Sequence, residues 1–550
     1  MSKLVFLINT IKYLKVTQVF HRLVRKLKII DYSAPNIELK SVDNGKWQTF
    51  LSGKRRFDPK GYVTFLNHQV QVDFDSVWDI DQQNALWLYN LHYFDDLNSL
   101  SGPEFKDFNN NLIEGWVEKY TSFDSVGWHP YPISIRVVNF VKWFLSGNEV
   151  SDAVKYSIAL QVSVLFQKLE YHLLGNHLLA NAKALIFGSI LFEGEDSLRW
   201  RNKGLEVLNR ELSEQINQDG GHFERSPMYH SVILLDVLDL VNLSNVIDFP
   251  SGLGRILRDV AEKMLFFLDS VCHQDGKISF FNDSCFEVYP ESEELYQYAK
   301  LLNLTPVCPV EALAIHKEGG IEFRIMNSTG YFSVASNLYK LIFNCGGVAP
   351  SYIPGHAHAD TLSIELSVRG YRVFVNSGVS TYENGEVRDY ERGSSAQNTL
   401  VVNGDNSSEV WGGFRVANRA SVIEKEFLLR RGRRGLLAVH DGYRARYGAN
   451  HRRTVVGETQ RIEIMDEFEA DADRVVLFRL HPDISVEEKC DRRFLLRVEN
   501  SEINISVSEN ARIDVLDSYW APSFGVRKKT KTLAIFMQSS YVLTEIELIA

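Results

Sequence analysis

The feature that most constrains this sequence is a change of hydrophobic period near residue 320. Between residue 84 and about residue 300, apolar residues recur at the three- and four-residue spacing of helices, as in PISIRVVNFVKWFL and SVILLDVLDLVNL. After residue 320 they alternate, as in TLSIELSVRGYRVFVNSG and RRTVVGETQRIEIMDEF, with turn pairs such as NG and DG between the runs. The sequence therefore predicts a helical part followed by a strand part.

The chain is also too long for one ordinary hydrophobic core, so we predict a multidomain α+β protein. Many helical segments are apolar on more than one face, which favours helical hairpins buried on both sides in a barrel or toroid. The alternating half favours a sandwich of antiparallel sheets. We expect a mixed N-terminal segment over residues 1–80, a toroid over residues 81–310 and a β-sandwich over residues 321–550.

The charge of the chain argues against one class of partner. Its net charge is −10, whereas a nucleic-acid-binding protein normally carries a basic excess. Five cysteines without a CxxC pair predict neither a disulfide framework nor a zinc finger. A local group of basic residues, which includes Arg415, could still attract a polyanionic glycan.

The first 30 residues form a basic segment without any acidic residue before Asp31. Its longest apolar run is too short for the core of a signal peptide, and no later run has membrane-spanning length. Two interpretations remain open: an amphipathic helix on an anionic membrane surface, or a helix packed on the body of the protein. We expect a cytoplasmic protein or one peripheral to the inner membrane, and a periplasmic one if the true start lies elsewhere.

Three short elements place titratable or amide side chains at the borders of predicted helices and strands. They are Asn176 and His177 in LLGNHLL, Tyr229 and His230 in RSPMYHSV, and His356, His358 and Asp360 in GHAHADT. Each has a structural alternative, because an asparagine caps helices, a tyrosine packs in cores and a loop histidine often only forms hydrogen bonds.

Taken in order, these elements resemble the heparinase II/III-like polysaccharide lyase family of the alginate and heparin lyase type. The resemblance extends to LWLYNLHYFDDL, GWHPYPISIR, HQDGKISFFNDS and SAQNTLVVNGDNSSEVWGGFRVANRA, and covers roughly residues 60 to 480. It implies an N-terminal incomplete (α/α) toroid followed by an antiparallel β-sandwich. It also implies β-elimination on a uronic-acid-containing glycan, which needs a neutralised carboxylate, a base for the C5 proton and an acid for the leaving oxygen.

By this resemblance, Asn176 and His177 neutralise the uronate carboxylate. Tyr229 is the acid, and also the base when both eliminated groups lie on one face of the sugar; His356 is the base for the opposite geometry. Further candidates for substrate binding are Arg136, His230, Tyr382, Tyr390 and Arg415.

The family's zinc site is altered in this sequence. His358 resembles the first ligand, but Asn376 and Gln397 stand where the family has an aspartate and a histidine. Neutral amides are poor zinc ligands, so we expect no tightly bound zinc and no other cofactor, with the amides forming hydrogen bonds to His358 instead.

We therefore predict a polysaccharide lyase that acts on an acidic polysaccharide or oligosaccharide, for example in bacterial surface polysaccharide metabolism. The altered metal positions favour one alternative, a non-catalytic glycan-binding homologue. The other alternative is a glycoside hydrolase on the same toroid, which needs two carboxyl groups across the cleft. Its candidates are Asp219, Glu224 and Asp360.

Overall fold

The computed structural model describes residues 3–120, 123–250, 252–288, 290–318, 320–430, 433–490 and 492–549. Its helices are α1 (Lys3–Ile11), α2 (Val16–Leu27), α3 (Ala85–Leu91), α4 (Lys106–Lys119), α5 (Pro130–Leu145), α6 (Asp152–Gln167), α7 (Gly175–Ser189), α8 (Glu195–Gln215), α9 (Pro227–Val246), α10 (Leu253–Val271), α11 (Ser292–Leu301), α12 (Glu386–Arg392) and α13 (Arg444–Tyr447). None of these described helices is both long and apolar enough to cross a bilayer.

The strands fall into a short N-terminal group and a long C-terminal series. The first group is β1 (Glu38–Leu39), β2 (Phe57–Asp58), β3 (Tyr62–Phe65), β4 (His68–Gln71) and β5 (Phe192–Glu193). The series begins with β6 (Ala312–Glu318), β7 (Ile321–Met326), β8 (Tyr331–Ala335), β9 (Tyr339–Asn344), β10 (Ile364–Val368), β11 (Tyr371–Phe374), β12 (Leu400–Val402), β13 (Val410–Trp411), β14 (Arg415–Val416), β15 (Val422–Arg430) and β16 (Arg433–His440). It ends with β17 (His451–Gly457), β18 (Arg461–Glu467), β19 (Arg474–Arg479), β20 (Ser485–Cys490), β21 (Arg493–Val498), β22 (Ser501–Val507), β23 (Ala511–Ser523), β24 (Val526–Met537) and β25 (Tyr541–Ile549).

Helices α3 to α11 form the helical toroid, and the predicted two-sided burial is confirmed in α5, α7 and α9, whereas α8 buries a single stripe. α5, α7 and α9 are buried along nearly their whole length, because their apolar residues are spread around the helix rather than confined to one stripe. One continuous core runs through these helices and includes Trp520 and Phe524 from the C-terminal half. The toroid therefore packs directly against the β-rich part.

The C-terminal half forms the predicted sandwich of antiparallel sheets. The main sheets have the strand orders β11-β10-β9-β8-β7-β6, β12-β19-β24-β23 and β15-β16-β17-β18-β25-β22-β21-β20. A second core lies between them and joins side chains of all three, such as Phe343, Phe478 and Ile464. The alternation in the sequence reflects this arrangement, since one face of each strand points into the core.

The N-terminal 80 residues contain a helix pair, where the sequence predicted a helix, and a group of short strands that the sequence did not predict. α1 and α2 form a helix pair, and β2, β3 and β4 form a small antiparallel meander ahead of the toroid. Both elements contribute residues to the rim of the central cavity, including Leu7 from α1, Gln18 from α2 and His68 from β4.

A buried carboxylate ties the toroid to the first large sheet. Asp219, in the turn between α8 and α9, accepts hydrogen bonds from the hydroxyl of Thr329 and, at 2.7 Å, from its backbone N–H in the β7–β8 turn. Both side chains are fully buried, so neither oxygen can turn to water.

We expect Asp219→Asn to lower the free energy of unfolding by about 1–3 kcal/mol, because an amide offers only one oxygen to the two donors of Thr329. Thermal denaturation measures the change. Asp259→Asn is the matched control: its carboxylate pairs with Lys263 on an exposed helix surface, so that its loss should cost at most about 0.5 kcal/mol. Equal shifts in the two variants would contradict the assignment.

Candidate active site

A cavity of about 1070 Å³ lies between the toroid and the β-rich half. Its walls come from the starts of α7 and α9, the loop between β9 and β10 and the segment before α12. Its lining includes seven of the polar and aromatic side chains that bear on chemistry, namely Asn176, His177, Glu224, Tyr229, His356, Tyr382 and Arg415. Sequence elements more than 150 residues apart therefore meet in one concave site.

Asn176 and His177 lie in the first turn of α7. The chain enters this helix through Leu174 and Gly175, both with positive φ, which turns the helix N-terminus toward the cavity rim. The side-chain oxygen of Asn176 accepts the N–H of His177 at 2.9 Å, so its amide nitrogen remains a donor. The imidazole Nδ1 of His177 lies 3.2 Å from both oxygens of Glu170.

The environment of Glu170 keeps its carboxyl group ionised. Burial alone would raise the pKa of Glu170, but His177 and the side-chain amide of Asn181 together hold it below its usual range. An ionised Glu170 orients the His177 ring, which also packs on Tyr131 with 4.6 Å between ring centroids.

Tyr229 lies in the first turn of α9, where Ser226 caps the helix by accepting the N–H of Tyr229 at 3.1 Å. Its ring stacks on the imidazole of His356, with centroids 3.8 Å apart and planes 28° apart. Its hydroxyl lies 3.1 Å from the hydroxyl of Tyr382. The two groups predicted as acid and base are therefore in direct contact.

His356 is held by the carboxylate of Asp283, which lies between α10 and α11. The imidazole Nδ1 donates to Asp283 Oδ2 at 2.8 Å, which fixes the tautomer with an unprotonated Nε2. Burial lowers the pKa of His356, with Asp283 opposing that shift, so the neutral ring is favoured. This arrangement presents a basic nitrogen to the cavity.

Asp283 itself is surrounded by donors. Arg388 from α12 binds both of its oxygens, with 2.7 Å from Nη2 to Oδ2, and His358 Nε2 donates to Oδ1 at 2.7 Å. Burial alone would raise the pKa of Asp283, but Arg388 and the two histidines hold it well below its usual range. A buried ionised carboxylate thus organises His356, His358 and Arg388 together.

Glu224 has the opposite environment. Its side chain is 2% exposed, and its Oε2 has no hydrogen-bond partner among the described residues, although it lines the cavity. The same oxygen lies 3.9 Å from His356 Nε2. Burial, reinforced by the negative charge of Asp283, raises the pKa of Glu224 to about 8 against a weaker opposing hydrogen bond from the backbone of Asn176. At neutral pH this carboxyl group is protonated and can donate.

The positions that match the family's zinc ligands do not fit a zinc ion. His358 uses Nε2 for Asp283, and its Nδ1 lies 3.3 Å from the amide nitrogen of Gln397. The side-chain oxygen of Asn376 accepts the N–H of Asn398. Both ring nitrogens of His358 therefore face protein groups, and the other two positions offer only amides.

Three of the candidate substrate contacts lie away from the cavity, which corrects the expectation for them. Arg136 is fully buried and donates to Gln161, His92 and Gly127, so it stabilises the toroid. His230 is buried, and its Nε2 lies 2.9 Å from the backbone carbonyl oxygen of Met264. The Tyr390 hydroxyl accepts from Arg479 outside the cavity lining. Arg136 and His230 are fully buried and cannot touch a glycan in the cleft, and Tyr390 lies outside the cavity lining, whereas Tyr382 and Arg415 line it.

The carboxyl groups needed by a glycoside hydrolase are also separated. Asp219 binds Thr329, and the buried Asp360 accepts the N–H of Asn282 at 2.9 Å. Of these three candidates only Glu224 lines the cavity. The geometry therefore does not favour a pair of carboxylates across the cleft.

Two residues of the site, Asp283 and Arg388, were not singled out from the sequence. Asp283 lies in FFNDS and Arg388 in ENGEVRDYERG, both of which are polar loops in the sequence. What marks them is that a buried acid pairs with a buried arginine. Because the two residues are 105 positions apart, this pairing is not visible in the sequence.

Comparison with known proteins matches nearly the whole chain to two family models. The model described as Heparinase II/III N-terminus matches residues 57–306, and the model described as Heparinase II/III-like, C-terminal matches residues 319–545. A solved structure of a heparinase III superposes with a TM-score of 0.66 at 16% identity and covers 96% of this chain and 89% of that chain. At that identity the superposition shows a shared fold.

Two curated relatives of this chain differ from each other in what their names describe. A heparin-sulfate lyase from Bacteroides stercoris is 24% identical over 426 residues, which are 68% of this chain and 62% of the relative. The chain thus spans less than two thirds of that lyase. The FtsZ-localized protein C of Caulobacter vibrioides is 23% identical over 541 residues, which are 89% of this chain and 88% of the relative.

We expect Asp283→Asn to lower the free energy of unfolding by about 3–5 kcal/mol, because it leaves the buried guanidinium of Arg388 without its counter-charge. Chemical denaturation measures the loss. Asp275→Asn is the control, since Asp275 also binds an arginine, Arg372, but is partly exposed to water. A loss no larger than that of the control would contradict the central role of Asp283.

Proposed function

The chain belongs to the heparinase II/III-like family, and we propose that it is a polysaccharide lyase that cleaves a uronic-acid-containing glycan by β-elimination. The observation that supports this most is the stacking of Tyr229 on His356, with Asp283 on the far nitrogen of the histidine. The heparin-sulfate lyase name of one relative supports the same reaction class. We propose an acidic polysaccharide of a bacterial surface as the substrate.

The start of α7 and Glu224 neutralise the uronate carboxylate. The amide nitrogen of Asn176 can donate to the carboxylate, and the positive end of the α7 helix dipole favours a negative charge there. Neutral Glu224, which lies beside the backbone of Asn176, adds a second donor. With its charge neutralised, the carboxylate can accept the electron pair released when the C5 proton leaves.

The bond changes need one base and one acid. His356 Nε2 takes the C5 proton, the electron pair forms the C4–C5 double bond, and the C4–oxygen bond breaks. The phenol of Tyr229 gives its proton to the leaving oxygen. His356 then releases its proton to water, and Tyr229 takes up a proton from water. The Tyr382 hydroxyl, which is adjacent to the Tyr229 hydroxyl, can relay that proton. No step needs a metal ion.

The remaining lining of the cavity suits a charged sugar chain. Tyr89, Tyr93 and Phe414 offer aromatic surfaces to sugar rings, while Arg22 and Arg415 add positive charge at its edges. Aromatic faces with a few cations favour an acidic oligosaccharide over an apolar ligand.

Tyr229→Phe should reduce elimination by about 10²- to 10⁴-fold, because the phenyl ring keeps the stacking on His356 but has no proton to donate. Ultraviolet absorbance of the unsaturated uronate measures the rate on a panel of uronate polysaccharides. Tyr390→Phe is the matched control and should retain the wild-type rate, since Tyr390 lies outside the cavity lining.

Three results would replace this proposal. Glycan cleavage without a new double bond would indicate hydrolysis. Glycan binding without cleavage would indicate a non-catalytic homologue, an alternative that the altered metal positions favour. Full activity of Tyr229→Phe would show that another group is the acid.

Glu224 makes a prediction about pH. Wild-type elimination should fall as the pH rises above about 8, because an ionised Glu224 would repel the uronate. Glu224→Gln keeps a donor and should lose this dependence, whereas Glu224→Ala should be slower by about 10²- to 10³-fold at all pH values. The titratable neighbours His356, Asp283 and Tyr352 are present in all three proteins and provide the common background.

Stability gives an independent measurement of the same group. The pKa of Glu224 in the folded protein lies above the ordinary glutamate value of 4.5, so the native state binds more protons between that value and about pH 8. Wild-type stability should therefore fall relative to Glu224→Gln as the pH rises through this interval. An identical dependence of melting temperature and rate on pH in both proteins would exclude this role.

A further inference from the structure

The outer face of the N-terminal helix pair is apolar although it faces solvent. Six of its large apolar side chains are 58–84% exposed, namely Leu4, Ile8, Val16, Phe20, Leu23 and Leu27. The four in α2 recur at positions i, i+4, i+7 and i+11 and so form one stripe along the helix. A continuous exposed apolar patch of this kind marks an interaction surface.

The inner face of α2 is polar, which is the reverse of a helix packed on a soluble body. Gln18 is 1% exposed and donates to the carbonyl of Leu173 at 3.4 Å. Arg25 lies 2.5 Å from the ring nitrogen of His172. Because polar contacts hold the helix to the toroid, its apolar stripe is left for a partner on the outside.

The charge around the stripe indicates which partner. Residues 1–30 contain seven lysines and arginines and no acidic residue, in a chain of net charge −10. Lys12, Arg22, Lys26 and Lys28 are exposed around the apolar residues. A second copy of this chain would bring like charges together, whereas an anionic bilayer offers acyl chains to the stripe and headgroup charges to the basic residues.

We propose that α1 and α2 dock the protein on an anionic lipid bilayer. In this state Phe20 and Leu23 enter the boundary between headgroups and acyl chains, and Lys26 contacts the headgroups. The helices lie in the plane of the surface and do not cross the bilayer.

The same helices border the cavity, so docking would bring its mouth close to the lipid surface. Leu7, Ile11 and Arg22 belong to the cavity lining. Thr10 accepts the indole N–H of Trp411 at 3.1 Å, which joins α1 to the β13–β14 hairpin at the rim. If the proposed lyase function holds, on which this last step rests, the substrate is a glycan held at a membrane surface.

Co-sedimentation with phosphatidylcholine vesicles, with and without phosphatidylglycerol, tests the docking surface without any glycan. We expect the wild-type protein to bind only the anionic vesicles, less at high salt. Phe20→Glu/Leu23→Glu should weaken binding by about tenfold or more, and Lys26→Glu should weaken it less. Leu198→Glu is the matched control, because Leu198 is 60% exposed on α8, and it should bind like the wild type.

Other outcomes overturn the proposal. Absence of vesicle binding by the wild type would do so, as would equal binding by Phe20→Glu/Leu23→Glu. A dimer in sedimentation velocity that the double variant abolishes, together with no vesicle binding, would assign the stripe to a second copy. Unchanged melting temperatures and unchanged elimination of a soluble oligosaccharide would show that the variants remain folded. Because vesicle binding needs no turnover, its failure is separate from a failure of the lyase function.

Discussion

The carboxylate of Asp283 is the interaction on which the active-site geometry depends. It comes from the segment that follows the toroid helix α10, and its donors His356, His358 and Arg388 all come from the β-rich half. A buried carboxylate without donors would be strongly destabilising, so the two halves of the chain must meet around it. The orientation of His356, and with it the basic nitrogen in the cavity, follows from that contact.

Three carboxyl groups around one cavity have different environments, and this difference separates their chemistry. Asp283 and Glu170 are surrounded by cationic or amide donors, which hold their pKa values below the usual range. Glu224 is equally buried, but one of its oxygens has no hydrogen-bond partner in the part of the chain that the structure describes, and its pKa is raised. Asp283 and Glu170 thus orient the histidines His356 and His177. Glu224 remains protonated and can donate a hydrogen bond to a bound carboxylate.

The N-terminal helix pair connects this site to the outside of the molecule. Its inner face completes the rim of the cavity, and its outer face is the apolar stripe with basic flanks. The stripe conflicts with the rule that apolar faces are buried, and such a conflict indicates function more than stability. Substrate access and surface docking would then involve the same two helices.

The sequence by itself determined the helical toroid and the sandwich, because burial periodicity is local, and it predicted Asn176, His177, Tyr229 and His356, which all line the cavity, because the family resemblance lies in short motifs. It could not separate Tyr382 and Arg415, which line the cavity, from Arg136, His230 and Tyr390, which do not, because a polar residue looks the same in the sequence wherever the fold places its side chain. Only the tertiary structure decided the roles of Asp283, Arg388 and Glu224. Their protonation and orientation depend on neighbours that are distant in the chain, and those neighbours meet only when both halves fold together.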